Sequence, residues 1–81
     1  MSMIEVILPK WGLTMEEGVL VDWDVNEGDC VSEGQVIARV ETDKVTNDLE
    51  SPVNGVIRSI KVAAGTEGVP VGTVLCEIEQ S

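Results

Sequence analysis

Along the chain, apolar and polar residues alternate in short runs that glycine, proline, asparagine and aspartate interrupt. The period is two, as in a pleated strand with one buried face, and no stretch keeps the roughly 3.6-residue period of an amphipathic helix. The alternation predicts six strands, at 3–8, 18–25, 35–42, 45–50, 55–62 and 73–79. Glycines fall between and at the ends of these runs, at a spacing that suits short strands joined by tight turns.

The same pattern occurs twice. GVLVDWDV (18–25) aligns with GVIRSIKV (55–62) at an offset of 37, and Gly28 falls on Gly65 at that offset. After one extra residue in the second copy, GQVIARVE (34–41) falls on GTVLCEIE (72–79). Such self-similarity is the mark of a duplicated structural unit. Strict alternation then assigns faces. Val36, Ala38 and Val40, with their counterparts Val74, Cys76 and Ile78, are expected to point inward, while Ile37, Arg39 and Glu41, with Leu75, Glu77 and Glu79, point outward. Val19, Trp23 and Val25 match Val56, Ile60 and Val62 as a second inward set, with Trp23 the bulkiest core residue. Val21 opposite Arg58 breaks the match. Two half-copies with one apolar face each bury those faces best against each other. The expected fold is therefore all-β: a single domain over 1–81, with half-repeats at about 18–41 and 55–79 arranged as a sandwich or flattened barrel about a pseudo-twofold axis.

Composition narrows the class. Eighty-one residues make one small domain, and the apolar 43% is dominated by Val, Ile and Leu, with Trp11 and Trp23 the only aromatics. β-Branched side chains favour strands, in agreement with the pattern. A formal charge of −10 with five basic residues argues against nucleic acid and anionic membrane as partners, since both are bound through Lys and Arg. No apolar run approaches the roughly 18–20 residues of a membrane-spanning helix, and the N-terminus lacks the features of a signal peptide. A soluble, cytoplasmic or mitochondrial-matrix location is expected. Cys30 and Cys76 form no CxxC pair and are read as reduced thiols, Cys76 buried and Cys30 partly exposed. The chain has no histidine and no Cys or acidic cluster at ligand spacing, so no metal site is expected. The adjacent carboxylates Glu16 and Glu17, and Asp22 and Asp24, are read as solvated charges rather than as an acid–base pair.

The candidate chemistry lies in VETDKVTND (40–48), where the chain turns from the strand ending near Thr42 into the strand starting at Val45. Asp43 and Lys44 suit the centre of a tight turn, which projects side chains into solvent. Together with LPKWGLTMEEG (8–18), the GD at Gly28, the ESP and Gly55 that follow Lys44, and the closing VPVGTVLCEIE (69–79), this stretch resembles the lipoyl domains of 2-oxo acid dehydrogenase complexes. The resemblance covers nearly the whole chain. It implies a flattened barrel of two four-stranded antiparallel sheets in which Lys44 carries lipoic acid in amide linkage. It further implies that Glu41 and Asp43 present Lys44 to a lipoate-attaching ligase, that Thr42 and Val45 flank the turn, and that Gly28 and Gly55 shape turns. Here Val45 stands where alanine is commoner in the family.

The implied function is that of a non-catalytic carrier. The lysine stem extended by an acyl chain reaches far from the domain, and the reactivity belongs to the cyclic disulfide of the cofactor while the protein supplies presentation. The implied partners are the thiamine diphosphate-dependent dehydrogenase, the acyltransferase catalytic domain and dihydrolipoamide dehydrogenase of a pyruvate or acetoin complex, the isolated domain being monomeric. Two other readings attach to the same fold. A biotin carrier sets its lysine between methionines, whereas Met1, Met3 and Met15 all lie far from Lys44. An unmodified structural adaptor lacks so compact and complete a hairpin. Trp11, with Leu13, is expected either to form part of the surface a dehydrogenase reads or to cover an edge of the core. Ending at EIEQS directly after the last strand, the sequence reads as a domain excised from a longer acyltransferase.

Overall fold

A computed structural model describes residues 2–12, 15–42 and 45–80. The described residues form eight strands: β1 (Ser2–Ile7), β2 (Glu17–Trp23), β3 (Cys30–Val31), β4 (Val36–Glu41), β5 (Thr46–Glu50), β6 (Gly55–Ile60), β7 (Thr66–Pro70) and β8 (Val74–Gln80). They form two four-stranded sheets, ordered β1-β8-β6-β3 and β5-β4-β2-β7, with every pairing antiparallel. The all-β, two-sheet expectation holds, and six of the strands lie where alternation placed them. The other two, β3 and β7, are edge strands. One has two residues and the other, TEGVP, contains Gly and Pro, which suit an edge and carry no alternating signal.

Residues one offset apart occupy matching places in the two sheets. Gly28 N–H donates to Ile57 C=O at 2.7 Å, and Gly65 N–H to Leu20 C=O at 2.6 Å. Asp24 N–H donates to Ile37 C=O and Lys61 N–H to Leu75 C=O, both at 2.8 Å. Gly28 and Gly65 share a left-handed conformation, with φ of 96° and 87°, which a side chain would strain.

Strict alternation fails at four positions, and these too are matched. Between β4 and β5 the register runs from Val36↔Glu50 to Ala38↔Leu49, leaving Ile37 as the extra residue. Between β1 and β8 it runs from Val6↔Cys76 to Ile7↔Val74, leaving Leu75. A bulge lets two successive side chains share a face. Ile37 and Leu75, expected outside, are fully buried, while Val36 and Val74 are only half-buried. Val21 in β2 and Arg58 in β6 are skipped in the same way and are both exposed, so their unlike chemistry does not disturb the duplication. The phase of β2 and β6 reverses at these bulges. Leu20 and Ile57 therefore fill the core, where Val19 and Val56 were expected; Val25 lies in the core as read from the sequence, whereas Trp23, Ile60 and Val62 are only partly buried and pack against it. Trp23 is half-buried, and its indole N–H donates to the carbonyl of Val62 at 2.8 Å.

Asp22 and Asp24 are not simply solvated. The guanidinium of Arg39 lies 3.0 Å from Asp22 and 3.2 Å from Asp24 on the outer side of β2 and β4, and the Asp22 hydrogen bond, then the two charges, raise its pKa above the ordinary value. Both cysteines are free, Cys30 exposed and Cys76 buried. Burial, then the nearby Glu77 carboxylate, push the Cys76 thiol up to about 11 from 9.0. The unfolded chain then releases this proton at lower pH than the folded one, so the thiol's contribution to stability is present below about pH 9 and is lost as pH rises toward about 11. Ala38 is the counterpart of Cys76 in β4 and is equally buried. Cys76→Ala is therefore expected to fold and to show a smaller loss of melting temperature between pH 8 and 11 than the wild-type domain, as measured by circular dichroism.

Candidate functional site

The β4–β5 hairpin closes through its flanks. Thr42 N–H donates to Val45 C=O at 2.8 Å, Val45 N–H returns to Thr42 C=O at 3.4 Å, and the Thr42 hydroxyl adds a third bond to Val45 C=O at 3.2 Å. Asp43 and Lys44 stand between these two residues in the chain and lie outside the described residues. Below the closure, Glu41 pairs with Val19 on one side and Thr46 on the other, and its carboxylate is exposed. Val45 is 56% exposed, an unusual position for a branched apolar residue at the end of a hairpin.

Among the links that cross between the sheets, two that the repeat makes counterparts differ in length. The β5–β6 link is residues 51–54, whereas the β1–β2 link is residues 8–16. The longer link reaches the end of the barrel that holds the hairpin, because β2 starts beside Glu41 and Pro70. It is pinned at both ends, by Leu8 N–H to Thr73 C=O at 2.9 Å and by Val71 N–H to Glu16 C=O at 3.0 Å. Within it, Met15 N–H donates to Gly12 C=O at 3.1 Å and Trp11 N–H to the Met15 sulfur at 3.4 Å.

Between this loop and the hairpin runs a cleft of ≈ 740 Å³, the size of small-molecule sites in general. Thr42, Val45 and Glu41 line it from the hairpin, and Trp11, Met15, Glu16, Glu17 and Val19 from the loop and β2. Of the residues singled out in the sequence, the structure thus gathers Trp11, Glu41, Thr42 and Val45 about one cleft. Trp11 is 39% exposed and lies outside the core cluster, on the wall of the cleft. Met15, Val19 and Asn47 were not anticipated in the cleft. Met15 and Asn47 carried no signal that placed them there, and Val19 had been assigned to the core.

The two structural glycines part company. Gly28 occupies a turn with positive φ, as expected. Gly55 does not shape a turn: it is buried as the first residue of β6, and a Cβ there would overlap the carbonyl oxygen of Glu79 and come within 2.8 Å of Ile78 Cγ2. Its role is close passage of two backbones. Among the described residues, no group of acidic, Cys or His side chains is arranged to hold a metal ion, and no helix is long and apolar enough to cross a membrane.

Comparison with known proteins agrees with this architecture. The family described as biotin-requiring enzyme, of the biotin/lipoyl type, matches residues 4–78. The chain is 48% identical over 77 residues, 95% of its length, to the pyruvate dehydrogenase E1 component subunit beta of Rhizobium meliloti. It is 47% identical over 72 residues, 89% of its length, to the dihydrolipoyllysine-residue acetyltransferase component of pyruvate dehydrogenase complex of the same organism. To the corresponding component of the acetoin cleaving system of Pseudomonas putida it is 42% identical over 79 residues, 96% of its length. It spans 17%, 16% and 21% of these relatives respectively. The solution structure of the lipoyl domain of the 2-oxoglutarate dehydrogenase complex from Azotobacter vinelandii superposes with a TM-score of 0.78 at 26% identity, covering 95% of this chain and 96% of that one. The chain belongs to the biotin/lipoyl family, and its fold is that of a lipoyl domain.

Proposed function

We propose that the domain is a lipoyl carrier, with lipoic acid amide-linked to Lys44. The observation that supports it best is the compact hairpin, closed by Thr42 and Val45 around the ETDK lysine, on a fold shared with a lipoyl domain. When bound, the group supplies the disulfide that takes up an acyl group and two electrons. The chain's own residues do the rest. The closure ties together Thr42 and Val45, the residues on either side of the Asp43–Lys44 pair in the chain, and Glu41 and Asp43 offer an acidic flank to the attaching ligase. The cleft residues fit an uncharged, largely apolar chain, because Trp11, Met15, Val19 and Val45 contribute apolar surface next to the hairpin. Lipoate is preferred over biotin because no methionine flanks Lys44.

The parent chain is read as the acyltransferase component of a pyruvate or acetoin dehydrogenase complex, in the cytoplasm or mitochondrial matrix. The similar E1 subunit beta favours a second parent, a dehydrogenase subunit bearing the same domain. In either case the partners are the thiamine diphosphate-dependent dehydrogenase, the acyltransferase catalytic domain, dihydrolipoamide dehydrogenase and the lipoate-attaching ligase, and the isolated domain is monomeric.

The lipoylated domain, offered to a pyruvate dehydrogenase component with pyruvate, is expected to gain an acetyl group by mass. No gain with any 2-oxo acid or with acetoin would contradict the carrier reading. Trp11→Ala tests how the partner reads the cleft. Its melting temperature is expected to hold, since Trp11 is exposed, while kcat/KM for acylation falls roughly tenfold, the size of one good contact of about 1.4 kcal/mol. A fall in both would return Trp11 to a packing role.

A further inference from the structure

We propose that the cleft is a resting site for the lipoyl arm of the same chain, an inference that rests on the lipoyl reading of Lys44. The first support is asymmetry. The two halves repeat each other in strand order, bulges and turn hydrogen bonds, yet the 8–16 link is longer than its counterpart at 51–54 and brings Trp11 and Met15 to the hairpin end. What the longer link adds is one wall of the cleft.

Connectivity is the second support. Thr42 and Val45, the neighbours of the Asp43–Lys44 pair in sequence, both line the cleft, so a group on Lys44 is joined to the chain between two cleft-lining residues. A short tether gives an effective concentration on the order of millimolar, and a contact too weak to capture free lipoamide then suffices to hold the arm.

Chemistry is the third. An indole face and a thioether suit a saturated, sulfur-containing ring. Glu16, Glu17 and Glu41 stand around the cleft, and no Lys or Arg among the described residues lines it. Such a wall repels anions but leaves a neutral amide-linked chain unopposed. It also distinguishes the modified arm, which has lost the lysine charge, from free carboxylic acids such as lipoate itself.

The test is methyl and amide NMR on the unmodified and the fully lipoylated domain, with modification verified by intact mass. Lipoylation is expected to shift the Met15, Val19 and Val45 methyl signals and to give NOEs from the dithiolane protons to the Met15 methyl, independent of protein concentration. In a Trp23→Phe background, Trp11 emission should fall on lipoylation. Trp11→Ser, at an exposed position, should fold as before and lose the NOEs. Shifts confined to residues 42–46 with no NOE to Met15 would overturn the resting site and leave the carrier reading intact. Shifts that grow with protein concentration would overturn it in favour of contact with a second copy. An unchanged mass would overturn the reading of Lys44 and this inference with it.

Discussion

Gly55→Ala is expected to lower the melting temperature by more than about 10 °C. The added Cβ would meet the carbonyl of Glu79 and the γ-methyl of Ile78, and of these the first is backbone in the central strand β8. No side-chain rotation relieves that overlap, so β6 and β8 must separate where they pair. Overpacking costs roughly 1–3 kcal/mol, and a strand displaced in a domain this small lies at the upper end. Each kcal/mol shifts the midpoint of such a domain by about 4–8 °C. Gly18 provides an internal control. It opens the matching part of β2, but a Cβ there would lie 3.0 Å from a Val40 methyl and 3.3 Å from the Glu41 carbonyl, so a small adjustment accommodates it. Gly18→Ala should therefore cost about 1 kcal/mol or less. Thermal melts of the two variants check both statements, and equal melting temperatures for them would show that backbone crowding at Gly55 is not limiting.

Much of this architecture was legible in the sequence because it is written twice. The offset of 37 located the paired strands, and the glycines at 28 and 65 matched before any contact was known. The faces were less legible. A bulge inserts one residue without any change of composition, so nothing in GQVIARVE announces that Ile37 turns inward beside Ala38. The same shift at Val21 exchanged Val19 for Leu20 in the core. β7 escaped notice because Gly68 and Pro70 read as a loop, and it takes its strand character from pairing with β2 alone. At the site, the lysine and its flanks were visible as a local motif. The cleft was not, since it depends on how the 8–16 link lies across the barrel end and brings Trp11 and Met15 to a hairpin some thirty positions away in sequence.

The second large effect concerns modification. Lys44→Arg is expected to abolish lipoylation completely while leaving the fold unchanged. Arginine keeps the positive charge and a long stem, so solubility and the hairpin flanks Thr42 and Val45 are undisturbed. Its delocalised, permanently protonated guanidinium is no substitute for the amine that the ligase acylates. Lys10 and Lys61, the other two lysines, serve as built-in controls for selectivity. Lys61, just after β6, sits 3.6 Å from Glu77 of the adjacent strand β8, in the sheet that does not hold the hairpin, and neither Lys10 nor Lys61 lies in an ETDK setting. The most direct measurement is the intact mass of the chain after co-expression with a lipoate ligase and supplied lipoate, followed by proteolytic mapping, for the wild type and Lys44→Arg side by side. One lipoyl group on the wild type, mapped to Lys44 and absent from the variant, is the predicted result. A folded wild-type domain that stays unmodified, or that carries the group on Lys10 or Lys61, would contradict the account.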